Sequence, residues 1–195
     1  MKNFKISATL GMISLVCALL IALVNMLSKP IIETNEKRTE LATCQAIFSD
    51  YDQEKSKEEN DLSGRDSRIK KIIYVYSSTS DSSIGTIYKV SGKNAYGNIT
   101  LMVGINKEGN VIHVEFLENG QSYASTVNNH VSANYPSSES TDVHIGAYKK
   151  AESKDIDELS GSDLAAIDVK CGATFGATLV KELVTVAAND AKEAA

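Results

Sequence analysis

The chain has 195 residues, a net charge of -5 at pH 7 and 43% apolar residues, with no Trp and two Pro. This composition supports the packed core of one ordinary domain and argues against wholesale disorder. The acidic balance, without clustered Lys and Arg, argues against a general nucleic-acid binder, because such proteins neutralise phosphates with cations on one face.

An apolar stretch without ionisable residues runs from Ile6 to Leu27. At about 1.5 Å per residue, a helix of this length crosses a hydrocarbon core of roughly 30 Å. Lys2 and Lys5 precede it, so the positive-inside tendency predicts a cytoplasmic N-terminus and an extracytoplasmic remainder. The shorter apolar region and Ala-x-Ala-like site of a cleaved signal peptide are not evident. We therefore expect residues 1–29 to be a cytoplasmic tail and a single-pass anchor in the cell membrane.

Residues 30–68 are predicted to form an amphipathic helix and a charged linker. Ile31 to Tyr51 places apolar side chains at helical spacing among charged ones, which is typical of a partly exposed helix. Asp52 to Arg68 is charged, poor in large apolar residues and contains Ser63-Gly64, so it predicts a solvated loop.

From residue 69 the pattern becomes that of β-structure. Segments rich in β-branched and aromatic residues predict strands at Ile72–Tyr76, Ile84–Val90, Asn98–Ile105 and Val111–Glu118. The polar residues 77–83 predict the first turn. The five residues from Asn106 to Asn110 include a glycine, so the last two strands are predicted to form a hairpin.

Helices are predicted to follow the strands. They are expected at Ser122–Tyr135, which Pro136 ends, at Asp155–Ala166, and downstream of Gly176. In the last one, apolar residues recur at helical spacing at Leu179, Val180, Leu183, Val184 and Ala187. Residues 69–195 therefore predict an α+β domain, a mostly antiparallel sheet with packed helices, preceded by one transmembrane helix.

The cysteines and histidines do not predict a metal site. The spacing of Cys17, Cys44 and Cys171 matches neither a zinc site nor a dense disulfide framework. It leaves open a disulfide between the last two or a pair of isolated thiols. No carboxylate or Cys stands at ligand spacing around His113, His130 and His144, so we expect surface or capping roles. Hydrolase, Walker and dinucleotide signatures are absent as well, so no catalytic residue is predicted.

The most informative stretch is Asp168 to Gly176, which reads Asp-Val-Lys-Cys-Gly-Ala-Thr-Phe-Gly and precedes the terminal helix. Gly172 and Ala173 are small enough for a backbone to approach a ligand closely. The following helix start offers N–H groups to an anion such as a phosphate. Thr174 can cap the helix or bind that phosphate. On these residues alone, a plain helix start with a Thr cap is the preferred interpretation.

The order of the segments resembles the FMN-binding domain family. The anchor is followed by a Pro-Ile-Ile and Glu/Lys-rich helix, by Asn94 to Asn98 opening a strand, by the hairpin and by the Gly-Ala-Thr turn. Members include the G subunit of the Rnf ferredoxin:NAD oxidoreductase complex and the C subunit of the sodium-translocating NADH:quinone reductase. The resemblance covers nearly the whole chain. It implies a flavoprotein subunit of an ion-translocating electron-transport complex, with FMN as redox carrier and other membrane subunits as partners.

In that family the motif reads Asp-x-x-Ser/Thr-Gly-Ala-Ser/Thr-x-Ser/Thr, and the last hydroxyl carries FMN through a phosphoester bond. The corresponding cofactor-binding positions here are Asp168, Cys171, Gly172, Ala173, Thr174 and Gly176. Cys171 replaces the first Ser/Thr, and Gly176 occupies the acceptor position, where glycine cannot form the ester. The resemblance therefore implies FMN held without a covalent bond.

A second departure follows the hairpin. The family usually has Glu-Thr-Pro-Gly-Leu-Gly there, whereas Glu118 to Thr126 lacks the Pro and the paired Gly. Both departures favour an alternative function, a flavin-free accessory or ligand-binding module on the outer membrane face. Strand tyrosines that could line a flavin pocket or simply cover the sheet are Tyr74, Tyr76, Tyr88 and Tyr96.

Overall fold

The computed structural model describes residues 2–77, 79, 82–137, 143–145, 149–151 and 156–194, with side chains omitted at 2–9, 143–145 and 149–151. The chain divides into two compact units, residues 1–41 and 42–195. The four long strands and the terminal helix of the second unit lie where the sequence predicts them, so the α+β class is confirmed.

One continuous helix, α1, spans Lys2–Ile47 and includes Pro30. Among the described residues it is the one helix long and apolar enough to cross a membrane, with a mean hydropathy of 2.5 in its most apolar window. Its large side chains between Leu10 and Ile32 are exposed, as expected of a surface that faces lipid. The two helical segments predicted from the sequence are thus one helix, and it ends at Ile47, before the predicted Tyr51.

The charged linker is not entirely a loop. Lys57–Glu58 form a short strand, β1, that pairs with the first long strand. The prediction of a loop was wrong at these residues, because a two-residue strand of charged side chains carries no hydrophobic alternation. Charged residues are nevertheless common at sheet edges, where they discourage pairing with other chains.

Within the described residues, five strands form one antiparallel sheet in the order β1-β2-β3-β4-β5. The long strands are β2 (Ile69–Tyr76), β3 (Ser83–Asn94), β4 (Gly97–Asn106) and β5 (Val111–Asn119). The predicted hairpin between β4 and β5 is confirmed. Gly109 lies in its turn with φ of 80°, a conformation that favours glycine.

Both faces of the sheet are covered. Alternate residues of β4, such as Leu101 and Val103, face the main core, whereas Met102 between them faces a smaller core with Cys44 and Phe48. This division follows from the two-residue period of a strand. The main core also contains the apolar face of the terminal helix.

The remaining elements follow the sheet. They are α2 (Ala124–Asn134), the paired strands β6 (Val143–Ile145) and β7 (Lys149–Ala151), α3 (Gly161–Ala166) and α4 (Thr174–Ala194). The predicted helices at α2 and α4 are confirmed. The one predicted over Asp155–Ala166 is shorter, because the Ser160 side chain accepts from the Asp163 N–H and starts the helix there; residue 155 lies outside the described residues.

No disulfide joins Cys17, Cys44 or Cys171. Cys44 is buried in the smaller core, and Cys171 lies half-buried in the turn before α4. Of the two alternatives for Cys44 and Cys171, the structure therefore has separate thiols.

Candidate functional site

A cavity of about 280 Å³ lies where the turn before α4 meets the loop after β5. One wall is the sequence segment singled out above, because Gly172 to Gly176 all line it. The opposite walls come from the β3–β4 turn, the loop after β5 and the first turns of α2. Three stretches distant in sequence, around residue 96, at 121–127 and at 172–176, thus converge on one space.

The six predicted site residues do not all reach this cavity. Gly172, Ala173, Thr174 and Gly176 line it, whereas Asp168 and Cys171 lie outside the lining. The Asp168 carboxylate accepts the N–H of Lys170 at 2.9 Å, which shapes the turn. The carbonyl of Cys171 accepts the Thr174 hydroxyl at 2.9 Å.

Thr174 is the first residue of α4, and its hydroxyl bond runs backwards to Cys171. The predicted Thr cap would instead precede the helix and accept from its N–H groups. That prediction was wrong, because the preceding turn places the threonine one position too late to be a cap. The first N–H groups of α4 therefore remain at the cavity wall without an intrahelical partner.

Gly176 is buried and allows α4 to pack closely on α2. A Cβ at this position would lie 2.5 Å from Cγ2 of Val127 and 3.3 Å from Oε1 of Gln121. Because a Val side chain has little freedom to move aside, any larger residue forces the two helices apart. The position that carries the ester hydroxyl in the resembled family is here occupied by helix packing.

Three aromatic rings surround the mouth of the cavity. Tyr96, Tyr123 and Phe175 all line it, and they are 44%, 62% and 65% exposed. Among the described residues outside α1, they are the exposed large hydrophobic side chains. The rings of Tyr96 and Phe175 are 5.3 Å apart, tilted by 32°. Exposed apolar groups gathered at one cavity are typical of a binding site.

Asn94 joins two walls of the cavity. Its Oδ1 accepts the N–H of Tyr96 at 2.8 Å, and its Nδ2 donates to the carbonyl of Phe175 at 3.1 Å. One side chain thus ties the β3–β4 turn to the first turn of α4, which sets the separation of the two aromatic rings.

The loop after β5 is held against the β3–β4 turn by close backbone contact. Gly97 has φ of 141°, and a Cβ there would lie 2.0 Å from the carbonyl oxygen of Gly120, so glycine is required. The Gln121 amide donates from Nε2 to the carbonyl of Gly97 at 2.8 Å. Gln121 is only 6% exposed, so the loop places a buried polar side chain in the cavity wall.

The lining is uncharged as far as the structure describes it, since its nine residues include no Asp, Glu, Lys, Arg or His. Electrostatic attraction for an anion would therefore come from the start of α4, whose dipole is worth about 0.3–1 kcal/mol at an exposed site. Apolar contact and specific hydrogen bonds remain as the main sources of binding energy.

The predicted surface or capping role is wrong for His130. It is buried in α2, and its Nε2 has no hydrogen-bond partner among the described residues. Burial lowers the pKa of His130, and the charge of Asp168 opposes this only in part. His113 faces Glu115, 3.3 Å from its carboxylate, and the side chain of His144 lies outside the described residues. The part of the chain that the structure describes contains no group of three or more potential metal ligands.

Sequence reasoning identified one wall of the cavity and missed much of the others. Of the strand tyrosines only Tyr96 lines this cavity; Tyr74 and Tyr88 line another, and Tyr76 lies under the ammonium of Lys57. The missed lining residues are Gln121, Tyr123, Val127 and Phe175. The available signal was the position of Phe175 inside the motif, between Thr174 and Gly176.

A larger cleft of about 540 Å³ lies at the other end of α4. Most of its charged side chains are paired, because Arg65 binds Asp190, while Arg68 reaches both Asp66 and Glu182. Ion pairs of this kind are typical of a structural cluster, so size alone does not make this cleft the better site.

Comparison with known families supports the predicted membrane anchor. Residues 3–47 match the family model described as the RnfG N-terminal region. The match covers α1, and the similarity to the RnfG family therefore rests on this helix. Together with the apolar helix, the match indicates a single-pass membrane anchor. No curated protein matches the chain.

Proposed function

We propose that this chain is a membrane-anchored electron-transfer subunit of an Rnf-like ion-translocating complex and binds FMN in the cavity at the start of α4. The flavin is held there without a covalent bond and carries the electrons. The protein positions the ring and supplies its surroundings, as is usual where a cofactor performs the redox step.

The observation that carries this proposal is the convergence on one cavity of a Gly-Ala-Thr turn and three exposed aromatic rings. The rings offer flat apolar surface to an isoalloxazine, and aromatic stacking contributes about 0.5–1.5 kcal/mol per pair beyond burial. Gly172 and Ala173 leave room beside the N–H groups at the start of α4, where the phosphate would lie. Asp168 and Cys171 support the shape of that turn without lining the cavity.

The proposal of non-covalent binding is supported by Gly176. This residue has no hydroxyl, and a Cβ there would collide with Val127. Covalent attachment at this position would need both a new oxygen and a repacked helix pair. The affinity for FMN must therefore come from contacts with the isoalloxazine ring and from the weak attraction of the α4 dipole for the phosphate.

The N-terminus is proposed to be cytoplasmic and the folded domain extracytoplasmic. Lys2 and Lys5 lie on the N-terminal side of the apolar segment, and positive charges are retained on the cytoplasmic face. Other membrane subunits of the redox complex are the proposed partners, and the ferredoxin:NAD oxidoreductase type of activity would belong to the assembly.

One observation favours a second candidate, an accessory or ligand-binding module without flavin. The cavity volume of about 280 Å³ is slightly below the range of about 300–1,000 Å³ that is usual for ligand pockets. The contact between Tyr96 and Phe175 further narrows its mouth. In that case the cavity would accept a smaller ring than that of a flavin.

The test is to express the full chain with the flavin transferase of its host and to purify it in detergent. We expect a flavin absorbance spectrum that is lost when the denatured protein is separated from small molecules. Ala173→Leu, which narrows the cavity, should lower flavin content at least fivefold. Tyr76→Ala, a strand tyrosine away from the cavity, is the control.

Flavin that stays with the denatured chain would contradict non-covalent binding. A chain that contains no flavin and binds none at saturating FMN would favour the flavin-free module.

A further inference from the structure

Gln121 is the buried polar side chain in the wall of the cavity, and nothing in the sequence motif points to it. It lies in the loop that departs from the resembled family, is 6% exposed and lines the cavity. In the motif wall, the Thr174 side chain is polar, but it is exposed and already donates to the carbonyl of Cys171. The chemistry that Gln121 offers is therefore the clearest indication of what the cavity recognises.

The orientation of the Gln121 amide is determined by its neighbours. The carbonyl of Gly97 can only accept a hydrogen bond, so the amide nitrogen must face it, at 2.8 Å. The oxygen lies at the other end of the amide, against the first turn of α4, where a Cβ on Gly176 would be 3.3 Å from it. The side chain cannot rotate by half a turn without losing the bond to Gly97.

The oxygen of Gln121 is thus a fixed hydrogen-bond acceptor. Among the described residues it has no hydrogen-bond donor, and its surroundings in the cavity are apolar or backbone. A ligand that fills the cavity excludes water from this oxygen. An acceptor that is buried in this way without a partner costs about 1–3 kcal/mol, so a ligand that brings an N–H or O–H to this point is favoured. A ligand edge that presents only carbonyl oxygens or methyl groups is disfavoured.

We infer that Gln121 is a specificity-determining residue that selects a planar aromatic ring carrying an N–H on its buried edge. This inference rests on the proposed function, and it adds how the site recognises its ligand. An oxidised isoalloxazine has one ring N–H, at N3, between two carbonyl groups. The Gln121 oxygen accepts this N–H, while the exposed aromatic rings contact the face of the ring.

The inference is tested with FMN and with FMN methylated at ring N3, which lacks the N–H. Binding of each to the full chain in detergent is followed by quenching of flavin fluorescence. We expect the methylated ligand to bind at least tenfold more weakly. In Gln121→Met, which keeps the length of the side chain and removes the acceptor, the two affinities should agree within threefold.

Ser122→Ala is the matched control, since it changes the next residue of the same loop, whose side chain does not line the cavity. It should keep the full tenfold preference. Circular dichroism spectra check that each variant is folded, and the comparison of the two ligands on the unmodified chain is informative whether or not Gln121→Met folds.

A preference below threefold on the unmodified chain would overturn the role of Gln121 and leave the proposed flavin binding intact. A tenfold preference that persists in folded Gln121→Met would also overturn it, because the methyl group would then be rejected elsewhere. Failure of both ligands to bind would overturn this inference together with the proposed function.

Discussion

The two ends of α4 differ in the side chains that surround them. At its start, exposed aromatic rings, small residues and an uncharged lining leave a space open. Near its end, Asp190 pairs with Arg65 and also accepts from the Tyr88 hydroxyl, so polar groups satisfy one another. Burial raises the pKa of Tyr88, and the Asp190 carboxylate raises it further. The difference indicates that one end of the helix stabilises the domain and the other is available for a ligand.

The largest expected effect is on stability, at the end of α4 where Asp190 pairs with Arg65. Asp190→Ala leaves the guanidinium of Arg65 mostly buried without its partner, since these side chains are only 12% and 23% exposed. We expect the free energy of unfolding to fall by about 2 kcal/mol, and FMN affinity to change less than twofold. Urea titration followed by near-ultraviolet circular dichroism measures the first, and fluorescence quenching the second.

Glu182→Ala is the control for that measurement. Its carboxylate is 55% exposed and 3.8 Å from Arg68, so the loss should stay below about 1 kcal/mol. Equal losses in the two variants would show that the Arg65 pair is not the stabilising feature.

At the open end, Gly176→Ala should destabilise the domain although alanine favours helices. The gain in helix propensity is about 1 kcal/mol at most, whereas a Cβ 2.5 Å from Val127 overpacks the helix contact at about 1–3 kcal/mol. We expect a net loss of about 1 kcal/mol by urea titration, and a smaller loss when it is introduced beside Val127→Ala.

Gly161→Ala provides the comparison, because the atom that its Cβ would meet is the mobile end of the Lys192 side chain. It should be neutral or stabilising. An identical loss at both glycines, unaffected by Val127→Ala, would refute close packing as the cause.

A smaller effect is expected when an aromatic ring is removed from the mouth of the cavity. Tyr96→Ala should weaken FMN binding about fivefold by loss of stacking, which contributes about 1 kcal/mol. Because this ring is 44% exposed, stability should change by less than about 0.5 kcal/mol. Tyr76→Ala should leave the affinity unchanged in the same titration, and an equal loss there would remove the distinction between the two tyrosines.

The smallest expected effect is on how the stability of the domain depends on pH. Burial lowers the pKa of His130 in the folded state, so the unfolded chain binds more protons as the pH falls below about 6.5. The contribution of neutral His130 is complete above that pH and is lost as the pH falls towards its folded pKa. Thermal midpoints should therefore decline on acidification, and His130→Gln should flatten the decline between pH 7 and 5. An unchanged slope would show that other groups cause it.

Much of the fold could be predicted because its signals are local. The strands are rich in β-branched and aromatic residues, the β4–β5 hairpin has a glycine in a short turn, and α4 repeats apolar residues at helical spacing. The motif wall was found for a similar reason, since Gly172 to Thr174 are contiguous.

The rest of the site depends on contacts between residues far apart in the chain, which local sequence patterns cannot predict. Gln121 reaches the cavity because Gly97 and Gly120 bring two loops together, and Val127 because Gly176 lets two helices approach. The burial of His130 likewise depends on how α2 packs. Long-range packing of this kind needs three-dimensional coordinates.

The central claim is that the cavity at the start of α4 holds a flavin ring without a covalent bond. An experimental structure of the full chain with FMN tests it most directly. We predict the ring between the loop of Gln121 and the Tyr96–Phe175 pair, with no bond from its phosphate to any side chain. An empty cavity at saturating FMN, or a flavin esterified to a side-chain hydroxyl, would contradict the claim.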